Sequence, residues 1–180
     1  MLSAFWWYLI VQAIGLATFP LAYFLFPKLS DRGYSVSKPA GILLIGYLSW
    51  VLSVSHVLPS LQITVAVLLV VVGGLSGWYL WVRRGDVLRL VSQERTAILV
   101  AEVVFLAAFF GWVLYRAYDP SISHTEKPMD FAFLNASIRS EYGAPEDPWL
   151  RGSSISYYYF GYWMMGTLSK LTGISSNVSY

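Results

Sequence analysis

The residues best equipped for chemistry gather in one polar stretch. Between 118 and 156 stand His124, Glu126, Lys127, Asp130, Arg139, Glu141, Glu146, Asp147 and Arg151. Glu126 and Asp130 are four apart, so a helix there projects both carboxylates from one face. Such a pair can supply a general base and oxygen ligands for a hard divalent cation. The same spacing occurs on ordinary exposed helices, where acids cap a terminus and solvate a loop, and on spacing alone that is the simpler reading. Asp147-Pro148-Trp149 reads as a turn with an interfacial anchor, since Asp before Pro initiates turns. Tyr157, Tyr158 and Tyr159 are either headgroup-layer anchors at the start of a span or a lining of rings and hydroxyls for a sugar or lipid headgroup.

Glu102 stands apart, alone inside an apolar stretch. An acid there costs about 2.5–3.5 kcal/mol to insert, so it must face a bundle interior and find a partner. It is either a proton or ligand site, or an acceptor for a Ser, Tyr or Trp on a neighbouring helix. His56, near a helix end, reads as an interfacial residue rather than a ligand. Asn135-Ala136-Ser137 and Asn177-Val178-Ser179 are weak glycosylation sequons.

The elements that must position these residues are membrane helices. Only 12% of the 180 residues are charged, against about a quarter in soluble domains, so water is not the main solvent. A net charge of +2 and the lack of a basic stripe argue against nucleic acid as a partner. Cysteine is absent, which removes disulfides, thiolate metal sites and cysteine nucleophiles. Four stretches reach the roughly 20 apolar residues that a span requires: 2–26 (with Pro20 as a kink), 40–58, 61–82 and 96–117. The first has no basic n-region before it and no small-residue cleavage site after it, so it is read as a retained helix rather than a signal peptide. Gly73-Gly74 reads as a close helix contact.

Lys28, Arg32 and Lys38 lie between the first and second stretches, and Arg83, Arg84, Arg89 and Arg95 between the third and fourth. Short basic loops stay cytoplasmic. This predicts a multi-pass cell-membrane protein with its N-terminus and the loop 118–156 outside. That loop holds four of the eight prolines. Thr125 is positioned to cap a short helix with Pro128 in its first turn. Phe131, Leu134, Ile138 and Tyr142 form a stripe for an amphipathic helix lying on the membrane surface over 130–142. A fifth helix over 157–171 is expected to return. The fold class is therefore all-α, a polytopic bundle of four spans plus a fifth. There is no phosphate-binding glycine loop, no paired metal-ligand histidines and no serine nucleophile elbow.

The run from His124 to Ala136, then Ile138-Arg139-Ser140, Asp147-Pro148-Trp149-Leu150 and Tyr157-Tyr158-Tyr159-Phe160-Gly161-Tyr162, resembles the YYY membrane-protein family from about Glu102 onward. The layout is also similar to GT-C glycosyltransferases, although the acids are four apart here instead of adjacent or once-spaced. The resemblance implies a fragment of a larger protein, with an N-terminal three-helix region over 1–95 and the start of a GT-C-like core over 96–180. It implies transfer of a sugar from a polyprenyl phosphate on the outer face. Asp130 or Glu126 would then be the base, with Lys127, Arg139, Arg151 and Asp147 at the substrate and Tyr157–Tyr159 lining the pocket. It leaves a need for Mg²⁺ or Mn²⁺ open. The alternative from another class is a membrane transporter or structural membrane protein, with Glu102 as its key acid and the loop as a lid.

Overall fold

The computed structural model describes residues 2–123 and 125–180, so His124 lies outside the described residues. Eight helices account for the regular structure there: α1 (Leu2–Leu25), α2 (Ser37–Val54), α3 (Gln62–Val82), α4 (Arg84–Gln93), α5 (Arg95–Tyr118), α6 (Lys127–Arg139), α7 (Phe160–Thr172) and α8 (Ser176–Ser179). Four of them, α1, α2, α3 and α5, are long and apolar enough to cross a membrane. The shortest, α2, has 18 residues, about 27 Å at 1.5 Å per residue, close to the thickness of the hydrocarbon core. α5 has no fully buried residue among those described. The protein is thus an all-helical, polytopic membrane protein.

The chain divides into two compact units. One comprises Met1–Ile42 and Leu69–Pro120, the other Leu43–Leu68 and Ser121–Tyr180. In the first unit, α1 and the start of α2 touch at a missing side chain. A Cβ on Gly41 would sit 2.5 Å from Thr18 Oγ1 and 2.6 Å from Ile14 Cγ2, so the α2 backbone lies directly on α1. The Thr18 hydroxyl is 2.8 Å from the Ile14 carbonyl and 3.0 Å from that of Ser37. Tyr8 of α1 meets three rings of α5, with Phe105, Phe109 and Phe110 at 5.5, 5.6 and 5.5 Å. α1 runs unbroken through Pro20.

In the second unit, α6 packs against α7. Pro128 opens α6, where a missing N–H costs nothing, and Asp130 sits in its first turn, where the helix dipole favours an acid. α6 buries Phe133, Leu134, Ala136 and Ser137. A Cβ on Gly166 of α7 would lie 3.3 Å from Ser137 Cβ, which makes this glycine the point of closest approach. Phe133, Ala136 and Ile155 form a small core, with Met129, Tyr159 and Tyr162 packed on it. Burying each large apolar side chain of this kind contributes about 1.5–3 kcal/mol.

Five expectations are corrected. α7 has 13 residues and stops at Gly173, whose φ of 68° closes the helix in the left-handed region. At about 20 Å it is too short to be a fifth span. α6 is not an amphipathic surface helix over 130–142: it ends at Arg139, and its packed residues include Phe133, which the stripe omitted, while Tyr142 is 45% exposed. Thr125 does not cap it; Glu126 occupies the N-cap position, and Thr125 has φ 49°. The basic segment after α3 is a helix, α4, and not an open loop. Of the glycine pair in α3, Gly73 lies near Ala17, where an added Cβ would be 3.7 Å away, but Gly74 faces open space.

Candidate functional site

Glu102 is the eighth residue of α5, roughly 10 Å along the helix. Three donors from other segments of its unit converge on it. Lys38 Nζ, from the first turn of α2, lies 2.5 Å from Oε1. The Tyr34 hydroxyl donates to the same oxygen at 2.7 Å, and Gln12 Nε2 of α1 donates to Oε2 at 2.6 Å. Lys38 reaches the acid because Gly15 has no side chain: a Cβ there would sit 2.6 Å from Lys38 Cγ. The ammonium also lies over Phe105 and Tyr34, at 5.0 and 5.2 Å from their ring centres. Burial, and then its bond to Glu102, hold the Tyr34 hydroxyl above its ordinary pKa. A cavity of about 190 Å³ adjoins the pair, lined in part by Lys38, Pro39, Ala101 and Phe105.

The connection that carries Tyr34 is itself built around an acid. Asp31 is buried and accepts from the backbone N–H of Gly33 at 3.0 Å and of Ser35 at 2.7 Å. Burial alone would raise its pKa, but the Ser35 and Gly33 hydrogen bonds outweigh it and hold the carboxyl low.

The acids of the polar stretch are occupied in the same way. Asp130 Oδ1 accepts a short hydrogen bond from the Tyr162 hydroxyl of α7. Burial and this bond push the Tyr162 pKa up. Asp147 Oδ1 accepts from the N–H groups of Trp149 and Leu150 at 2.8 and 3.2 Å, the turn that its sequence implies. Glu146 Oε1 accepts from the Gly152 N–H at 2.8 Å. Glu126 is exposed at the start of α6. Lys127 donates to the Ser121 carbonyl at 3.2 Å. Arg139 and Arg151 line an open cleft of about 670 Å³ with Glu141, Glu146 and Asp147.

The tyrosine triplet is divided. The Tyr157 hydroxyl donates to that of Tyr158 at 2.8 Å, and its pKa is pushed up to about 12, first by that bond and in smaller part by the charges of Glu126 and Asp130. Tyr159 turns the other way and accepts from Trp50 Nε1 at 2.9 Å. All three border an aromatic cleft of about 300 Å³ with Tyr47, Trp50 and Phe160. His56 stacks on Tyr142 with ring centres 5.4 Å apart. Asn135 lies within α6, where its side chain bonds to the Phe131 carbonyl at 2.7 Å and accepts from Ser176 at 2.8 Å.

Sequence reasoning missed Lys38, Gln12 and Tyr34 as partners of Glu102, and missed Lys170 altogether. Lys170 Nζ donates to the Ser60 carbonyl at 2.6 Å, the Ser60 hydroxyl at 2.9 Å and the Ser140 carbonyl at 2.6 Å. It also lies 5.2 Å from the centre of the Trp163 ring. Burial among neutral acceptors pushes its pKa down to about 8, with only the Glu141 charge opposing. A lone lysine in the otherwise apolar and hydroxyl-bearing α7 was the available signal.

Four apolar spans, a paired acid among the helices and a folded helical segment outside the spans define a polytopic membrane protein. The chain belongs to the family of uncharacterized membrane proteins DUF2298, which matches residues 44–180. No curated protein and no solved structure matches it. This family assignment corrects the resemblance to the YYY family and to GT-C glycosyltransferases, for neither of which a link is found. The glycosyltransferase expectation falls with it. Among the described residues no group of three or more His, Asp or Glu is arranged to hold a metal ion.

Proposed function

We propose that this chain is a structural membrane protein: a helix assembly that holds a folded segment outside its spans, with its carboxylates spent on architecture. The observation that carries the reading is the saturation of Glu102. Lys38, Tyr34 and Gln12 occupy both of its oxygens. A fully satisfied network of this kind rigidifies a core and fixes the register of its helices. Asp31, Asp130, Glu146 and Asp147 follow the same pattern, each bound to backbone N–H groups or a tyrosine. Asp130 and Glu126, with Lys127, Arg139, Asp147, Arg151 and Tyr157–Tyr159, are then the framework and surface of the α6–α7 segment.

A transporter is the second reading. The cavity of about 190 Å³ beside Lys38 favours it, since it leaves room for a small solute at the charge pair. Reconstitution separates the two. The chain is placed in vesicles loaded with a pH-sensitive dye, and proton flux is followed after a pH jump. The structural reading expects leakage equal to that of empty vesicles. Flux that disappears in Glu102→Gln while the variant stays folded would establish the transporter reading in its place.

A further inference from the structure

In the first unit, an open cleft of about 650 Å³ is lined by residues from the end of α1, the connection after it, the end of α3 and α4, among them Tyr23, Arg32, Tyr79, Arg83, Asp86 and Arg89. Three of these are arginines, and Asp86 is the one acid in the lining. Asp86 is already engaged with Arg83, at 3.4 Å. Among the described residues, the Arg89 guanidinium has no hydrogen bond or ion pair (only its backbone carbonyl is engaged, by the Ser92 hydroxyl), and the Arg32 guanidinium does no more than lie 5.3 Å from the centre of the Tyr23 ring. The lining therefore carries a net positive charge, with two guanidiniums free to bind.

The location says what kind of anion this charge meets. The cleft lies where α1 and α3 end, at the level where a span leaves the hydrocarbon. The last turns of α3 hold Trp78 and Trp81, 66% and 68% exposed, as in an interfacial aromatic belt. α4 has one buried residue, Leu90, which helps line the cleft, and it leaves Leu88 and Val91 68% and 45% exposed. A short helix with basic and apolar residues of this kind suits the headgroup boundary. Free phosphate would use only the arginines. A phospholipid would use the arginines for its headgroup and the exposed apolar residues for its chains.

We propose that Arg32, Arg83 and Arg89 form a binding site for the headgroup of an anionic phospholipid, which seats α4 on the membrane surface. Arginine suits the site because its planar fork of donors pairs with two phosphate oxygens at once.

The test uses the whole chain, purified from mixed micelles of phosphatidylglycerol and phosphatidylcholine, with the retained lipid counted by mass spectrometry. The wild type should retain phosphatidylglycerol preferentially. Arg32→Gln and Arg89→Gln should each reduce that preference about fivefold, the effect of one basic residue near an anionic surface. Arg139→Gln/Arg151→Gln, a pair of exposed arginines outside the site, should leave it unchanged, and melting temperatures report that every variant is folded. Equal retention of the two lipids by the wild type overturns the proposal, as does an unchanged preference in Arg32→Gln/Arg89→Gln. A final arm adds millimolar inorganic phosphate. Retained lipid supports the headgroup, whereas complete displacement shows a site for free phosphate and overturns the lipid assignment.

Discussion

Lys170 makes the fold respond to pH in a direction that can be worked out. Its pKa falls from the ordinary 10.5 to about 8 because burial disfavours the ammonium. In the unfolded chain the group returns to its ordinary value. Below pH 8 it is protonated in both states, and the folded state bears the full cost of burying the charge. As pH rises from 8 towards 10.5 the folded protein releases the proton while the unfolded chain keeps it, so stability rises. The whole shift amounts to about 3 kcal/mol at roughly 1.4 kcal/mol per unit. Tyr34 and Tyr162 have raised values and act in the opposite sense above about pH 10, so the clean window is about pH 8 to 9.5. Within it the gain is about 2 kcal/mol, or about 4–8 °C in melting temperature for a chain of this size. The assay is thermal unfolding in detergent at steps across that window, for the wild type and Lys170→Met. The variant strands the Ser60 and Ser140 carbonyls and should melt lower than the wild type in the neutral range. It should also lose the rise with pH. Parallel pH profiles for the two proteins would refute the reasoning.

Two further outcomes follow from contacts within single units. Asp130→Asn and Tyr162→Phe break the same bond between α6 and α7, so each should destabilise by about 1–3 kcal/mol and the double variant by no more than the worse single one; denaturation of all three checks this, and additive losses would show that the two residues act separately. Gly15→Val places a branched side chain where Lys38 Cγ lies 2.6 Å from an added Cβ, so it should displace the lysine from Glu102 and lower the melting temperature, while Gly74→Val in α3, with open space around it, should change little.

The spans were legible because hydropathy over twenty residues is a strong signal and needs no partner to interpret. Helix existence was legible in α6 as well, through Pro128 and the apolar run behind it. What the pattern missed depends on contacts. Lys38 was assigned to a basic loop because it precedes the apolar stretch 40–58, yet it lies in the first turn of α2 and is 5% exposed. Its partner lies 64 residues away, and no local rule links the two. α4 was hidden by its arginines, although Val87, Leu90 and Val91 recur at helical steps. α7 has the composition of a span, and only its termination at Gly173 limits it to 13 residues. Among the candidate site residues, the turn role of Asp147 was readable from the following proline, whereas the bond between Asp130 and Tyr162 needed the packing of α6 on α7.

The central claim is that the paired acid is architectural, and a double-mutant cycle on Lys38→Met and Glu102→Leu tests it most directly. Removing Glu102 leaves the buried Lys38 ammonium uncompensated, at a cost of about 3–5 kcal/mol, removing Lys38 strands a partly buried carboxylate at a smaller cost, and removing both leaves no lone charge. Melting measurements on the four proteins in detergent should therefore show two destabilised single variants and a double variant more stable than either. Single variants that melt with the wild type would contradict the account, because a pair that does not hold the helices together cannot be the reason Glu102 is there.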